Sequence, residues 1–99
     1  MSKVIFSVQY EIENSKVEEF KSIINELKVL LKAEGLEDYS VYELKGKSNQ
    51  YQEQYTFISE EAFEAFDDNT DERLNILVNK LNDIAVKHSV KYSTLSKIL

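Results

Sequence analysis

The six tyrosines of this 99-residue chain are the most distinctive set of side chains that could do chemistry. All six fall in stretches where apolar and polar residues alternate, which is typical of strands: Tyr10, Tyr39, Tyr42, Tyr51, Tyr55 and Tyr92. The same stretches carry Gln9, Gln52, Gln54 and Glu53. Because a buried phenol needs a hydrogen-bond partner, this combination predicts a pocket lined by aromatic rings and a few polar groups. Such a pocket could orient a planar phenolic ring and stabilise its deprotonated form.

The tyrosines also have a second interpretation, in which they only pack. Tyrosine favours strands, and its ring can fill an interface between subunits while its hydroxyl group reaches the rim. Aromatic residues on sheets pack more often than they bind ligands, so this interpretation stands beside the pocket.

The remaining chemical groups give weaker signals. His88, the sole histidine, follows the second helical stretch, where it suits the carbonyl groups of a helix end better than general-base catalysis. The stretch from Asp67 to Asp71 matches the first ligand positions of an EF-hand loop. However, Glu72 stands where that loop needs glycine, and Val78 where it needs glutamate. The chain has no cysteine, and we expect neither a metal site nor a cofactor.

Composition limits the partners of the protein. It has 12 basic and 18 acidic residues, a formal net charge of −6, and a single arginine, Arg73. Nucleic-acid affinity depends on basic groups that neutralise phosphates, and here they are scattered among glutamates. No apolar run approaches the roughly 20 residues needed to cross a bilayer, and MSKVIF lacks the features of a signal peptide. We therefore expect a cytoplasmic protein with neither nucleic acid nor membrane as a partner.

The order of hydrophobic periods predicts the elements that position these side chains. Alternation over residues 3–12 is followed by helical spacing over 15–33, alternation over 38–46 and 50–58, helical spacing to about residue 87, and alternation over 89–98. This βαββαβ order indicates a ferredoxin-like α+β fold, a four-stranded antiparallel sheet with two helices on one face. With no proline and only two glycines, the chain shows no internal boundary, and we expect one domain over residues 1–99.

Polar residues and glycines mark the predicted ends of these elements. Ser15 begins a capping-box pattern before the first helix. Ser59 and Thr70 are expected to cap two parts of the second helical stretch, separated by a break near residues 67–70. Gly35 suits a left-handed conformation after the first helix, and Gly46 falls in the turn between the second and third strands.

The sheet face that the helices leave open is predicted to be partly apolar. Whichever way the faces are assigned, this face keeps several of Ile5, Tyr42, Leu44, Ile58 and Leu95 or their alternates. An open sheet with that much apolar surface normally meets a partner. We expect a homodimer through this sheet face, because two-fold dimers are the commonest oligomers.

The segment from Tyr42 to Phe66 resembles the centre of the antibiotic biosynthesis monooxygenase (ABM)-like family. Its letters YELK and QYTFISEEAFEAF give a strand that ends in an aromatic residue, followed by an acidic helix start. The resemblance implies a dimeric α/β barrel whose two sheets enclose one pocket per subunit. Family members include cofactor-independent oxygenases of aromatic polyketides and quinols, and related haem-degrading enzymes.

Two positions depart from the family pattern. Members commonly have tryptophan where Phe57 stands and histidine where Phe66 stands, whereas this chain has no tryptophan and only His88. The haem-degrading activity is therefore disfavoured. What the resemblance implies as a first hypothesis is a cofactor-independent monooxygenase acting on an aromatic or quinol small molecule.

In that hypothesis, Glu53 and Gln9 are the catalytic residues, as base or polar positioners. The substrate-binding residues would be Tyr55, Phe57, Tyr42 and Tyr51, with a small aromatic ligand between them. The alternative hypothesis is a non-catalytic dimer that binds a small molecule or serves as a stress-related accessory protein. The absence of both family markers favours this alternative.

Overall fold

A computed structural model describes residues 3–67 and 71–99 of the chain. The elements run in the order β1 (Val4–Glu11), α1 (Val17–Leu30), β2 (Leu36–Glu43), β3 (Gln50–Phe57), α2 (Glu60–Asp67), α3 (Glu72–Ile84) and β4 (Lys91–Ser96). This is the predicted βαββαβ order, with the second helical stretch divided into α2 and α3. The ferredoxin-like α+β fold is confirmed.

The four strands form one antiparallel sheet in the order β2-β3-β1-β4. The two central strands, β1 and β3, pair in a register that sets Val8 opposite Glu53 and Tyr10 opposite Tyr51. On the other side of β3, Tyr39 of β2 lies opposite Tyr55. Since side chains alternate along each strand, this register brings all of these residues to one face of the sheet.

The hydrophobic core lies between that face and the apolar stripes of α1 and α3. Its largest fully buried side chains come from both layers: Phe57, Ile12, Leu27, Leu77 and Val4. Burial of each such side chain is worth about 1.5–3 kcal/mol, so the helical stripe and the alternating strands stabilise each other. In β1, α1, β3 and α3 the hydrophobic period therefore reflects the buried face of the element.

The opposite face of the sheet combines polar side chains with apolar ones, as the sequence predicts. Its central rows are Ser40, Gln54 and Ser7 in one register, and Tyr42, Gln52 and Gln9 in the next. Apolar side chains lie toward its margins: Ile5 is half-buried, and Tyr42, Ile58 and Leu95 are exposed. This face mixes hydroxyl and amide groups with a smaller apolar fringe.

The predicted caps have different outcomes. The Ser15 capping box is wrong, because Asn14–Lys16 forms a short 3-10 turn and Lys16 precedes α1 with no side-chain capping bond. The hydroxyl group of Ser59 accepts a hydrogen bond of 3.1 Å from the amide three residues later, as predicted. Before α3, the side chain of Asp71 makes the capping bond. Thr70, for which a cap is predicted, lies outside the described residues.

Four described residues, Asn49 among them, adopt left-handed backbone conformations in the turns around the sheet. Gly35 has a φ of +84°, and a Cβ atom there would overlap the Cβ of Ala62 in α2. Gly46 has a φ of +82° in the turn between β2 and β3, with open space around it. His88 has a φ of +68° and is exposed in the turn before β4, because α3 already ends at Ile84. The predicted helix-end position of His88 is therefore wrong.

Candidate active site

Glu53 is the only buried carboxyl group among the described residues, with 3% of its surface exposed. It lies in the middle of β3, where alternation turns Tyr51, Glu53 and Tyr55 toward the helices. Both neighbours on this face are buried aromatic residues, so the strand carries Glu53 into the core with them. A carboxyl group in such a place must be satisfied by hydrogen bonds from the protein or a ligand.

Three tyrosine hydroxyl groups donate hydrogen bonds to this carboxyl group. The hydroxyl of Tyr39 lies 2.6 Å from Oε1 of Glu53, that of Tyr55 3.2 Å from Oε1, and that of Tyr10 2.9 Å from Oε2. Tyr39 and Tyr10 reach Glu53 diagonally, because each lies opposite a residue two positions away from it on β3. Three neighbouring strands, β2, β3 and β1, thus each contribute one phenol to a Glu53–tyrosine cluster.

Burial raises the pKa of Glu53 above its ordinary value, and the three tyrosine hydrogen bonds reduce that rise without cancelling it. The pKa of each phenol in the cluster is raised too, first by burial and then by the nearby charge of Glu53. The tyrosines therefore remain protonated donors at all ordinary pH values. Glu53 is the group of the cluster that can take up or release a proton.

One side of the cluster opens into a cavity of about 250 Å³ between the sheet and the helices. Glu53, Tyr10 and Tyr55 lie on its sheet wall, with Phe6 and Val8. The helix wall is mainly aliphatic and consists of Leu27 and Leu31 from the α1 side and Leu74, Val78 and Leu81 from α3. An apolar chamber with a few converging polar groups is the usual form of a small-molecule site.

Cavity-lining residues on α3 and on the edge strand β4 are exposed to solvent, which indicates an open end of the cavity. Asn75 and Asn82 of α3 line this end and are exposed. Tyr92 of β4 also lines it, is 62% exposed, and stacks on Phe6 with ring centroids 6.0 Å apart. A ligand entering here would pass amide groups and an aromatic ring before it meets Glu53.

The carboxylate of Glu53 has room for one further donor. Among the described residues, Oε1 accepts two hydrogen bonds and Oε2 accepts one. An ionised carboxylate offers about four lone-pair positions, so Oε2 can accept one more hydrogen bond. The arrangement can therefore bind a hydroxyl group and accept its proton.

The structure brings together only part of the predicted site. Glu53 and Tyr55 line the cavity. Tyr51 shares their face but packs on the ring of Phe20, with centroids 4.4 Å apart, and is absent from the cavity wall. Phe57 is also on this face, fully buried against the aromatic rings of α2.

Gln9 and Tyr42 lie on the opposite face of the sheet. Gln9 pairs with Gln52 across β1 and β3, so the predicted combination of Gln9 with Glu53 in one site is not found. Tyr42 lies on the same open face and is 52% exposed. Side-chain alternation alone accounts for both positions, because residues an odd number apart on a strand point to opposite faces.

Sequence analysis included Tyr10 and Tyr39 among the candidate pocket tyrosines but not among the four substrate-binding residues, although both are partners of Glu53. The alternating pattern of each strand could have indicated them, because each residue lies on the side of its strand that faces the helices. The asparagines of α3 gave no signal, because they lie among the polar residues of an amphipathic helix. Phe66 lines the cavity as an aromatic wall residue that the resemblance marked only as a departure.

Within residues 3–67 and 71–99, no group of three or more histidine, cysteine, aspartate or glutamate residues is placed to hold a metal ion. In the same part of the chain, no helix has the length and apolar character required to span a membrane.

Comparison with known proteins gives matches in structure but none in sequence families. No protein-family model and no curated protein matches the chain. A conserved protein from Methanosarcina mazei Go1 superposes with a TM-score of 0.84 at 17% identity, over 99% of this chain and 95% of that one. SnoaB, a cofactor-independent oxygenase from Streptomyces nogalater, superposes with a TM-score of 0.79 at 12% identity, over 100% of this chain and 96% of that one. A candidate antibiotic biosynthesis monooxygenase from Caulobacter crescentus CB15 superposes with a TM-score of 0.81 at 15% identity, over 99% of this chain and 92% of that one.

The chain has the ABM-like fold. The protomer fold that the segment from Tyr42 to Phe66 suggested is thereby confirmed over nearly the whole chain. At 9–18% identity for most of these matches, the similarity concerns the path of the backbone. The Glu53–tyrosine cluster must be interpreted from the residues of this chain itself.

Proposed function

We propose that the protein is a cofactor-independent monooxygenase that acts on a small aromatic phenol or quinol. The observation that carries this proposal is the cavity, which combines aromatic and aliphatic walls with one buried carboxyl group of raised pKa. Perturbed acid–base groups inside clefts are typical of catalytic sites. The similarity in fold to SnoaB, a cofactor-independent oxygenase, supports the same reaction class.

In this proposal, Glu53 is the general base. A phenolic hydroxyl of the substrate donates to Oε2 and passes its proton to the carboxylate, which leaves an electron-rich phenolate in the cavity. The hydroxyl groups of Tyr39, Tyr55 and Tyr10 hold the carboxylate in position and stabilise its charge before it takes the proton. Tyr55 and Phe6 would form the aromatic wall that orients the ring.

The phenolate then reacts directly with molecular oxygen. For a phenol with a ring C–H para to the hydroxyl group, or a quinol with a ring C–H ortho to one of its hydroxyl groups, a new C–O bond forms at that carbon and its C–H bond breaks. One oxygen atom remains in the product quinone, and the other leaves as water with the two protons lost from the substrate. All four electrons that reduce O₂ come from the substrate, so the reaction needs no external reductant. The aliphatic wall of α1 and α3 limits the access of water to the reactive ring.

Oxygen uptake tests this proposal. The protein is incubated with hydroquinones, naphthoquinols and naphthols, and uptake is corrected for autoxidation with heat-denatured protein. Glu53→Gln should lower the corrected rate by about 100-fold or more, since general bases contribute roughly 10²–10⁴-fold. Tyr55→Phe should lower it less, because two donors to the carboxylate remain. Incorporation of ¹⁸O from ¹⁸O₂ into the quinone distinguishes oxygenation from simple oxidation.

Glu43→Gln is the matched control for this assay. Glu43 is exposed on β2, away from the cavity wall, and its replacement changes the net charge by the same amount. The control variant should retain the wild-type rate. No corrected uptake with any member of the panel, or equal rates for wild type and Glu53→Gln, would contradict the proposal.

A second candidate is a non-catalytic protein that binds a small molecule, such as a stress-related accessory protein. One observation favours it: the cluster supplies Glu53 with three hydrogen bonds from its own tyrosines, so the carboxylate is stabilised without a substrate. Ligand binding in the cavity with no oxygen uptake across the panel would support this candidate over the oxygenase.

We also propose that two copies pair through the open face of the sheet. The apolar fringe of that face supports this pairing, since Leu95 is 55% exposed and Ile5 lies beside it across β1 and β4. Light scattering after gel filtration should give the mass of two protomers. Leu95→Lys should yield the mass of one protomer, whereas Val29→Lys, on the exposed part of α1, should leave the dimer intact. A single-protomer mass for the wild type would refute this pairing.

A further inference from the structure

We infer that the cavity selects an uncharged ligand that donates one hydroxyl hydrogen bond to Glu53, and that it rejects the matching carboxylate. This inference deepens the proposed function and rests on it for the location of the ligand. It concerns which aromatic molecules enter the cavity, so it can be tested by binding alone.

The charges around the cavity disfavour an anion. Among the described residues that line it, none is lysine, arginine or histidine, whereas Glu53 and Asp71 are acidic. Arg73 lies next to the cavity-lining Leu74 in sequence, but its Nε donates to Glu26 across the surface at 2.6 Å. In its ionised form, which the three tyrosine hydrogen bonds favour, Glu53 would thus present a like charge to a ligand carboxylate, with no basic partner in the described lining.

Repulsion between two such charges is large in this setting. At about 4 Å and an effective dielectric constant near 20, like unit charges repel strongly enough to weaken binding by roughly 10³-fold. Solvent reduces part of this repulsion, because the outer end of the cavity reaches water beside Asn75 and Asn82. We therefore expect a discrimination of about 100-fold or more.

The hydrogen-bonding capacity of Glu53 specifies what the ligand must offer instead. Tyr39 and Tyr55 occupy Oε1, and Tyr10 occupies one position on Oε2. The remaining lone pair of Oε2 accepts but cannot donate, so it favours a hydroxyl group over an ether or a carbonyl. A hydrogen bond to a charged acceptor contributes enough to change affinity by about 10- to 100-fold.

The size of the cavity limits the ring system. Pockets for drug-sized ligands measure about 300–1,000 Å³. The cavity here, at about 250 Å³, is smaller, which favours a molecule of one or two rings. The three two-ring probes 2-naphthol, 2-methoxynaphthalene and 2-naphthoate differ only in the group presented to Glu53.

Calorimetric titration of the wild-type protein with the three probes at pH 8 is the test. 2-Naphthol should bind about 100-fold or more tightly than 2-naphthoate, and about 10-fold or more tightly than 2-methoxynaphthalene. Glu53→Gln should reduce the naphthol-to-naphthoate ratio to below about 10-fold, because the repelling charge is gone. Glu43→Gln, with the same change in net charge outside the cavity, should keep the wild-type ratio.

Equal binding of 2-naphthol and 2-naphthoate by the wild type, or no binding of either, would overturn the inference. A ratio that is the same in Glu53→Gln as in the wild type would also overturn it. The comparison within the wild type does not depend on how well the variant folds. Binding selectivity without oxygen uptake would support the inference and refute the oxygenase. Turnover of a carboxylated quinol would support the oxygenase and refute the inference.

Discussion

Replacing Glu53 by glutamine should change how the stability of the protein depends on pH. Burial raises the pKa of Glu53 above its ordinary value of 4.5, against the opposing hydrogen bonds of Tyr39, Tyr10 and Tyr55. The folded protein therefore holds this proton more tightly than the unfolded chain does. As pH rises from the unfolded pKa to the folded pKa, the unfolded chain releases the proton first, and the free energy of unfolding falls.

The linkage of a single proton sets the magnitude. Inside this pH window, the free energy of unfolding of the wild type should fall by up to about 1.4 kcal/mol per pH unit relative to Glu53→Gln. The three phenols keep their protons throughout the window, since burial raises the pKa of each of them too. They therefore add no slope of their own there.

Urea unfolding at a series of pH values from 4 to 8 measures the effect for the wild type, Glu53→Gln and Glu43→Gln. The free energy of unfolding of the wild type should fall steadily relative to that of Glu53→Gln as pH rises. Glu43→Gln should run parallel to the wild type, because Glu43 is exposed. A difference that stays flat would refute the reasoning. If the free energy of unfolding of the wild type instead rises relative to that of Glu53→Gln, the tyrosine hydrogen bonds lower the pKa of Glu53 by more than burial raises it.

Two further pairs of substitutions test the cluster and the turn near α2 by urea unfolding. Tyr39→Phe removes the shortest hydrogen bond to the buried carboxylate and should cost about 1.5–3 kcal/mol of stability at pH 8. Tyr42→Phe, on the exposed face, should change stability by less than about 0.5 kcal/mol, and equal effects of the two would contradict the cluster. Gly35→Ala and Gly46→Ala both force alanine into a left-handed conformation, which costs about 1–2 kcal/mol. Gly35→Ala should cost at least about 1 kcal/mol more, because its Cβ also overlaps Ala62, and equal costs would refute that close approach.

The elements were predictable from sequence because burial of one face sets their period. Alternation over 3–12 became β1 at Val4–Glu11, and helical spacing over 15–33 became α1 at Val17–Leu30. The ends were less predictable, because they depend on local hydrogen bonds that compete with one another. Ser15 entered a 3-10 turn instead of capping α1, and α3 ended at Ile84, where the next residue is already extended.

The candidate site was predictable only within a single strand. Glu53 and Tyr55 are two residues apart on β3, so they share a face in any register. The contacts of Tyr10 and Tyr39 with Glu53 depend on the register between strands, and a slip of one residue would turn both away from it. Gln9 was grouped with Glu53 by residue type, whereas alternation places it on the other face.

The face that lines the cavity could not be chosen from composition, because both faces of the sheet carry aromatic and polar residues. Tyr42 and Tyr55 look alike in sequence, yet one is exposed on the open face and the other is buried beside Glu53. Only the side of the sheet on which α1 and α3 pack distinguishes them. That choice is made by the connections between strands and helices rather than by any single residue.

A crystal structure of the protein with 2-naphthol bound is the most direct test of the central claim. The account predicts the ring between the sheet and the α1 and α3 helices, with its hydroxyl oxygen about 2.5–3.0 Å from Oε2 of Glu53. A ligand seated instead on the open face beside Gln9 and Tyr42, with the cavity empty, would contradict it.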